Sequence, residues 1–349
     1  MKIVILPGDG IGPETMACTV EALQALSQRF KLELELQHDI AGHASLQAHG
    51  TTVTPTLIEK VRAADGLMLG PMATYEFKDE INPSMFFRKT LDLHANIRPA
   101  RSYPGMEARF GALDLVVVRE NTEGFYADRN VESGSSEMLI TPDVVISLRR
   151  ITRHCCERIA RSAFELAMTR KKHLSIVHKA NVLKIGDGMF IDICREVGRE
   201  FPQVLVDDFI VDAMMAHVVR APQRFDVIVT TNMFGDILSD LTAELSGSLG
   251  LGGSLNAGAN YAMGQAIHGS APDIAGKNIA NPFSSILSAG MLLAWHGQRK
   301  GLPAFIEANA AIEQAVAAAV AARQVTRDCG GSLGTRETGK ALAARLLAG

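Results

Sequence analysis

The chain has 349 residues, of which 47% are hydrophobic and 21% are charged, and its formal net charge is −3. These values are typical of a globular protein, and the length allows one large domain or two to three ordinary ones. The weak negative charge provides no basic surface field, so neither nucleic acid nor an anionic membrane is an expected partner.

The five cysteines and the N-terminal segment bear on the compartment. There is no C-x-x-C motif, and an odd cysteine count in a protein of this size favours a reducing environment. The apolar run in "MKIVILPGDG" is too short for a signal peptide. No run of about 18 apolar residues occurs, so we expect no transmembrane helix and a cytoplasmic location.

Strands and helices are predicted to alternate along the chain. The predicted strands are residues 2–6, 32–37, 66–70, 113–120, 173–181, the first part of 204–219, and 225–231. The predicted helices begin near Pro13 and cover 143–170, 187–200, the second part of 204–219, 233–246 and 304–323. This alternation predicts a parallel or mixed sheet with helices on its faces. The Gly-rich stretch 246–265 is the best candidate for a crossing between domains, and Glu307 and Glu313 argue against a membrane role for the last helix.

Two aspartates in "NMFGDILSDL", Asp236 and Asp240, lie four positions apart, where a helix places them on one face. Most such pairs simply lie on a solvated face. This pair, however, follows a buried strand at its carboxyl end, where open α/β sheets bind ligands. Carboxylates there suit Mg²⁺ or Mn²⁺. Asp212 also follows an apolar segment, "DFIV", and is a third candidate ligand.

Several basic and aromatic residues lie near the ends of predicted elements. Arg88, Arg98 and Arg119 could converge on a substrate with several carboxylates, because guanidinium binds carboxylate in a bidentate manner. Each could equally form a surface salt bridge. Lys179 ends the strand "LSIVHK" and is a candidate base, and Tyr126 follows "RENTEG"; a structural role remains open for both.

Two glycine-rich segments are candidate cofactor loops. "GDGIGPE" gives G-x-G-x-G, one residue short of the dinucleotide fingerprint, and is a weak signal. The loop 268–282, "HGSAPDIAGKNIANP", offers Ser270, Asp273 and Asn281. A carboxylate such as Asp273 suits the ribose hydroxyls of NAD and would repel the 2′-phosphate of NADP, although it could instead cap a local turn.

Taken in order, these segments resemble the β-decarboxylating dehydrogenases, which include isocitrate, homoisocitrate, 3-isopropylmalate and tartrate/D-malate dehydrogenases. The resemblance extends from "LPGDGIGPE" to "TRDCGGSLGT" and covers essentially the whole chain. Between these ends it includes "NIRPAR", "VVVRENTEGFY", "VHKANVLK", "IVDAM", "VTTNMFGDILSDL" and "HGSAPDIAGKNIANP". Six motifs in the family's order make the match specific, whereas any one of them would be weak.

The resemblance implies a role for each matching residue. It implies catalytic roles for Tyr126 and Lys179 as the acid/base pair, and substrate binding by Arg88, Arg98 and Arg119. The implied ligands of Mg²⁺ or Mn²⁺ are Asp212, Asp236 and Asp240. The implied contacts to NAD are Ile11, His268, Gly269, Ser270, Ala271, Asp273, Ile274 and Asn281.

The implied fold is the isocitrate/isopropylmalate dehydrogenase-like α/β fold, a mixed sheet flanked by helices in two domains, and not a Rossmann fold. The larger, discontinuous domain is expected at 1–99 and 252–349 and carries the cofactor loop. The smaller domain, 100–251, is expected to hold the metal aspartates and the dimer interface. Lys179 and Asp212 would reach the neighbouring subunit's site, so the implied partner is a second copy in a homodimer with shared sites.

The substrate implied by the family is a small 2-hydroxy di- or tricarboxylate, namely a malate with a substituent at C3. The segment before Arg88, "INPSMFF", reads that substituent, and Asn82 and Ser84 could hydrogen-bond a distal carboxylate. "RENTEG" resembles the isocitrate, homoisocitrate and tartrate branches of the family, and the expected substrate is isocitrate or homoisocitrate. The alternatives are 3-isopropylmalate, then tartrate or D-malate. A non-catalytic regulatory subunit is a further alternative, disfavoured because the implied catalytic and metal-binding residues are all present.

Overall fold

A computed structural model describes residues 1–77, 80–106, 111–126, 130–131 and 134–349. The chain forms two compact units. Unit 1 comprises Met1–Leu91, Ser102–Glu107 and Ser246–Gly349, and unit 2 comprises Asp92–Arg101 and Ala108–Leu245. The unit boundaries at 91/92 and 245/246 are offset from the expected domain boundaries at 99/100 and 251/252.

Unit 1 contains five strands of mixed direction in the order β2-β1-β3-β12-β11. Its strands are β1 (Lys2–Leu6), β2 (Glu35–His38), β3 (Gly66–Leu69), β11 (Leu255–Ala257) and β12 (Ala262–Gln265). Strands β2, β1, β3 and β12 run parallel, and β11 is antiparallel to β12. Its helices are α1 (Gly12–Phe30), α2 (His43–His49), α3 (Pro55–Arg62), α4 (Pro83–Thr90), α9 (Phe283–Lys300), α10 (Pro303–Ala321) and α11 (Thr335–Ala348).

Helix α10 tests the expectation that no helix spans a membrane. Within the described residues it is the one helix that is long and apolar enough to do so, judged by length and composition alone. Phe305, Ile312 and Val316, however, are buried in the core of unit 1 together with residues of α1 and α9. Packing in the core therefore accounts for its apolar composition.

Unit 2 contains five strands of mixed direction in the order β4-β5-β10-β8-β9. Its strands are β4 (Ala95–Arg101), β5 (Asp114–Glu120), β8 (His173–His178), β9 (Leu205–Ile210) and β10 (Val227–Thr230). Strand β4 is antiparallel to β5, and the other neighbours are parallel. The helices are α5 (Arg153–Met168), α6 (Gly186–Gly198), α7 (Val211–Arg220) and α8 (Asn232–Leu245). Each of α6, α7 and α8 begins soon after a parallel strand ends, so the starts of these helices lie at the carboxyl edge of the sheet.

One element prediction is wrong. Residues 143–170 are not one helix, because Val144–Ser147 form strand β7, which pairs with β6 (Glu137–Thr141) in a separate antiparallel hairpin. Helix α5 begins only at Arg153, where the hydroxyl of Thr152 accepts a hydrogen bond from Cys155 N. The β-branched run Val144–Ile146 favours a strand, and the Thr152 cap fixes where the helix starts.

The predicted exposed strand at 32–37 is also shorter than its alternating pattern suggests. Lys31 and Glu33 have positive φ angles of 53° and 49°, so the chain is still turning after α1. Regular pairing with β1 begins at Glu35. The alternation of leucine and glutamate continues into this turn, so the sequence pattern alone overestimates the length of the strand.

Candidate active site

Helix α8 carries two of the predicted metal-binding aspartates, Asp236 and Asp240. Ser239 and Asp240 lie three and four positions after Asp236, so both are close to Asp236 on the surface of the helix. The side chains of Asp236 and Asp240 are 38% and 54% exposed, which leaves their carboxylates accessible to a ligand.

Arg119, at the end of β5, is the largest fully buried side chain of the described chain and has three polar partners. Its Nε donates to Asn232 Oδ1 at 2.9 Å, and its Nη1 forms an ion pair with Asp236. Its Nη2 donates to the hydroxyl of Tyr126 at 2.9 Å, and that hydroxyl donates to Asp236 Oδ2 at 2.7 Å. Arg119, Tyr126 and Asp236 therefore form one hydrogen-bonded group.

Arg98, on β4 beside β5, lies between the two aspartates. Its Nη1 is 3.1 Å from Asp236 Oδ1, 3.2 Å from Asp240 Oδ1 and 2.8 Å from Ser239 Oγ. Burial and the neighbouring Arg119 lower the pKa of Arg98 to about 10, so the guanidinium remains charged at neutral pH. The two nearby carboxylates repel each other, and the positive charge of Arg98 on the same chain offsets this repulsion.

The donor set of this cluster is compatible with a hard divalent cation. Partial burial and the nearby charge of Asp236 raise the pKa of Asp240, while Arg98 and Arg119 oppose the shift. Two oxygen-donor carboxylates on one accessible helix face would gain from a cation placed between them. Within the described residues, however, no group of three or more His, Cys, Asp or Glu side chains is placed to hold a metal, so Asp212 does not complete the pair within one chain.

Lys179 and Asp212 form a second cluster in unit 2. Lys179 follows β8, and Asp212 lies in the first turn of α7; the two side chains form an ion pair. The hydrogen bond from Lys179 lowers the pKa of Asp212. The Lys179 backbone N–H donates to Asp187 Oδ2 at 2.6 Å, so the lysine begins from a fixed backbone position.

The two glutamates of "RENTEG", Glu120 and Glu123, have a structural role that the sequence alone does not predict. The Glu120 carboxylate accepts hydrogen bonds from the backbone N–H groups of Thr122 and Glu123 at 2.9–3.0 Å. The Glu123 carboxylate accepts from Thr152 N at 2.8 Å and from its hydroxyl at 2.9 Å. The two acids therefore fix the turn that leads to Tyr126.

In unit 1, Arg88 on α4 lies near the predicted substituent-reading residues. Gln265 Oε1 accepts hydrogen bonds from Arg88 Nη2 at 2.9 Å and from Ser84 Oγ at 3.0 Å. Asn82 Oδ1 accepts from the backbone of Ser84 and Met85 and so caps α4. The buried Asn82 is thus engaged in starting the helix, and Ser84 is held by Gln265.

The two glycine-rich segments meet within unit 1. Ile11 N donates to Ser270 O at 2.9 Å, and a Cβ on Gly10 would lie 2.0 Å from the same oxygen. The close approach of these loops explains the glycine spacing without a dinucleotide fingerprint. His268 and Gly269 lie at the start of the second loop, and burial lowers the pKa of His268.

Side chains in the rest of the second loop differ in whether they are accessible to a ligand. Ala271 has a left-handed φ of 40° and leads into a short 3₁₀ turn, Pro272–Ile274, which includes the exposed Asp273. Asn281 is buried, and its amide donates to Asp328 Oδ2 at 2.9 Å while its Oδ1 accepts from Phe283 N. Asp273 is therefore open to a ligand, whereas the Asn281 side chain is engaged inside unit 1.

Three residues of these clusters are absent from the sequence-based candidates: Asn232, Ser239 and Gln265. Asn232 and Ser239 lie in the same motif as Asp236, and their helical spacing from it could have flagged them. Gln265 lies far from Arg88 in sequence, so no local pattern connects the two residues.

Comparison with known proteins agrees with this fold. The model of the isocitrate/isopropylmalate dehydrogenase family matches residues 2–342. A 3-isopropylmalate dehydrogenase of Archaeoglobus fulgidus is 40% identical over 346 residues, covering 99% of each chain. An isocitrate/homoisocitrate dehydrogenase of Thermus thermophilus is 41% identical over 337 residues, covering 96% of this chain and 95% of the relative. The solved structure of isocitrate dehydrogenase from Methylococcus capsulatus has a TM-score of 0.89 at 38% identity and covers 99% of both chains.

The whole-chain family match and these relatives place the chain among oxidoreductases that act on small hydroxy acids. The chain belongs to the isocitrate/isopropylmalate dehydrogenase family, whose members are oxidative decarboxylases that use NAD(P) and a divalent metal. The resemblance, the fold class and the enzyme class expected from the sequence are confirmed.

Proposed function

We propose that this enzyme catalyses the NAD-dependent, Mg²⁺- or Mn²⁺-dependent oxidative decarboxylation of a 3-substituted malate, with isocitrate or homoisocitrate as its substrate. The main support for this reaction is the group formed by Arg98, Arg119, Tyr126 and the two aspartates of α8. This group combines carboxylate-binding cations with metal-compatible carboxylates and a proton-donating phenol.

Each residue has a role in the proposed reaction. Arg88, Arg98 and Arg119 bind the substrate carboxylates. Lys179 takes the C2 hydroxyl proton, and the hydroxyl of Tyr126 returns a proton to C3 after loss of CO₂. The loop that contains Ser270 and Asp273, together with Ile11, would hold NAD⁺, which would supply the hydride acceptor for C2. Asp236 and Asp240, with Asp212 of the partner subunit, would hold a divalent metal, which supplies Lewis-acid stabilisation of the developing oxyanion when bound.

The proposed substrate is based on polarity near Arg88. Ser84, Gln265 and Arg88 form a buried or half-buried polar group at α4, which suits a substituent bearing a carboxylate. The second candidate is 3-isopropylmalate, favoured by the half-buried Met85 and Phe86 on the same helix. The relatives include enzymes named for each of these substrates, so they do not separate the two.

Exposed apolar residues of unit 2 support the proposed homodimer. The hairpin β6–β7 exposes Leu139 (69%), Ile140 (52%) and Val145 (57%), and Ile185 near Lys179 is 91% exposed. An isolated two-stranded hairpin is only marginally stable in water, and an apolar patch of this kind marks an interface. We propose that a second copy covers this surface and that Lys179 and Asp212 enter its site.

NAD rather than NADP is proposed as the cofactor because the exposed carboxylate of Asp273 lies in the loop assigned to the cofactor.

A cytoplasmic location is supported by the five cysteines, all of which are free and buried. Burial raises the pKa of Cys18 and Cys156 to about 12, so these thiols remain protonated at neutral pH.

The test is NADH formation with isocitrate, homoisocitrate, 3-isopropylmalate, tartrate and D-malate, with CO₂ measured in parallel. We expect equimolar NADH and CO₂, with the highest kcat/KM for isocitrate or homoisocitrate. Preference for 3-isopropylmalate would reassign the substrate while preserving the reaction. No turnover with any of the five, in the presence of metal, would contradict the proposal and favour a regulatory subunit.

A further inference from the structure

A buried ion pair lies beside the backbone of Lys179. Asp187, in the first turn of α6, is completely buried, and the side chain of its partner Arg149 is 10% exposed. Arg149 Nη2 is 2.6 Å from Asp187 Oδ1, a close ion contact that is not aligned as a hydrogen bond. Replacing such pairs by apolar residues is often neutral or stabilising, so stability alone does not explain why charges are placed here.

The other oxygen of Asp187 holds the catalytic lysine segment. Asp187 Oδ2 accepts a hydrogen bond from Lys179 N at 2.6 Å. The Lys179 carbonyl in turn accepts from Val182 N at 3.0 Å and Leu183 N at 2.8 Å, which closes the turn between β8 and α6. The carboxylate therefore fixes the backbone from which the Lys179 side chain extends.

Arg149 is held by the segments that present the first cluster. Its guanidinium carbon lies 5.5 Å from the ring centroid of Phe125 and 5.8 Å from that of Phe234. Its Nη2 also donates to Thr231 Oγ1 at 3.3 Å. Phe125 immediately precedes Tyr126, and Phe234 lies two positions before Asp236. One side chain thus connects the Lys179 turn to the segments carrying the phenol and the metal carboxylate.

We propose that Asp187 and Arg149 are positioning residues for Lys179, an inference that rests on the proposed role of Lys179 as the base. The pair fixes the backbone from which the Lys179 side chain extends towards the site that it is proposed to complete in the partner subunit. Substrate affinity is assigned to the three arginines, so loss of the pair should lower kcat and leave KM nearly unchanged.

A second buried pair in unit 2 provides a matched control. Asp226 is 1% exposed, its Oδ1 accepts from Arg170 Nε at 2.7 Å, and its Oδ2 accepts from Lys171 N at 2.8 Å. Like Asp187, it joins an arginine to a backbone N–H, but it precedes β10 at the opposite end of that strand from α8. The two aspartates thus differ in location and share the same type of environment.

The test compares Asp187→Asn with Asp226→Asn in the full-length enzyme. Both should lower Tm, because Asp187→Asn removes the carboxylate paired with the buried Arg149, and Asp226→Asn reduces Arg170 to its ion pair with Asp114. Only Asp187→Asn should lower kcat, by about a hundredfold, since small displacements of catalytic groups cost rates of that order. KM for substrate and for NAD should change by less than about threefold.

Equal kcat in the two variants, or a loss confined to KM, would overturn the positioning role. If Asp187→Asn does not fold, Arg149→Lys with Arg170→Lys as its control makes the same comparison, with the same criterion. Lys179→Met separates this inference from the proposed function. Full activity of Lys179→Met would refute both, whereas an inactive Lys179→Met beside a fully active Asp187→Asn would refute only the positioning role.

Discussion

At the scale of single residues, Arg98 lies where a cation is needed, between the carboxylates of Asp236 and Asp240. A bound metal would compete with this guanidinium for the same oxygens, and a substrate carboxylate would be the natural new partner for the arginine. The arrangement therefore couples metal binding to substrate binding through shared oxygens. The sequence predicts both the aspartate pair and Arg98 as site residues but not the contact between them, because Arg98 lies 138 positions before Asp236.

Asp240→Asn tests the metal assignment. We expect the dissociation constant for Mn²⁺ to rise at least about tenfold, since even residues that support metal ligands contribute this much. Asp192→Asn is the control and should leave binding unchanged, because Asp192 is an exposed carboxylate on a different helix, α6. Equal affinity in both variants, or full activity in excess chelator, would contradict the assignment.

The exposed Asp273 should determine cofactor choice. A carboxylate accepts hydrogen bonds from ribose hydroxyls but would repel a phosphate with a charge of about −1.5 to −2. We expect kcat/KM to favour NAD over NADP by at least about a hundredfold, equivalent to about 2.7 kcal/mol. The double variant Asp273→Lys with Ile274→Tyr should shift this ratio towards NADP. Equal use of the two cofactors by the unmodified enzyme would refute the role of Asp273.

The half-buried His94 should make stability depend on pH. Burial and the charge of Arg158 lower the pKa of His94 from 6.5 to about 4 in the folded state. Between these values the unfolded chain binds the proton more tightly, so stability is lost as pH falls through this window. Below both pKa values the free energy of unfolding is lower by on the order of 3 kcal/mol than at pH 7, and about 2 kcal/mol of this decrease has occurred by pH 5.

Urea unfolding at pH 7 and pH 5 measures this effect. The loss of stability between these pH values should be smaller in His94→Gln than in the unmodified enzyme. His49→Gln, at an exposed position, should behave like the unmodified enzyme. An identical pH dependence for His94→Gln would show that His94 is not responsible.

At the scale of elements, α8 packs against β5 through a glycine that leaves space for Arg119. A Cβ on Gly235 would lie 2.6 Å from Arg119 Cγ and 2.7 Å from Arg119 Cβ, inside the buried core. Gly235→Ala should therefore displace Arg119, destabilise the fold by about 1–3 kcal/mol and lower kcat/KM on the order of a hundredfold.

Gly188→Ala in α6 is the matched control, because no heavy atom lies within 4 Å of its added Cβ. This change should stabilise the enzyme by about 0.5–1 kcal/mol and leave kcat/KM unchanged. Thermal unfolding and steady-state kinetics of both variants make the comparison. A fully active Gly235→Ala enzyme would contradict the packing argument.

The elements also show what the sequence could and could not predict. The strand–helix alternation from "HLSIVHKAN" to the end of α8 is predicted correctly, because apolar strands and periodic helices have strong local signals. Strands β11 and β12 and helices α9 and α11 were not predicted. The hairpin β6–β7 was missed because its outward-facing residues are apolar rather than polar, so its pattern lacks strand alternation. Likewise, the Arg88–Gln265 contact joins distant positions that no local signal connects.

At the scale of the whole molecule, one chain carries two separate clusters with proposed roles in one reaction. Arg98, Arg119, Tyr126, Asp236 and Asp240 form the first, and Lys179 with Asp212 forms the second. The described residues place no third metal-binding side chain beside the aspartates of α8. The central claim is that the second cluster of one subunit completes the first cluster of the other.

Subunit mixing tests this claim most directly. Lys179→Met and Asp236→Asn enzymes, each inactive alone, are mixed under conditions where exchange of differently tagged subunits is demonstrated. If the sites are shared, each mixed dimer contains one site with both defects and one intact site. Half of the dimers are then mixed, so activity should return to about one quarter of the unmodified level. No recovery despite complete exchange would show that each chain supplies its own site, and would contradict the account.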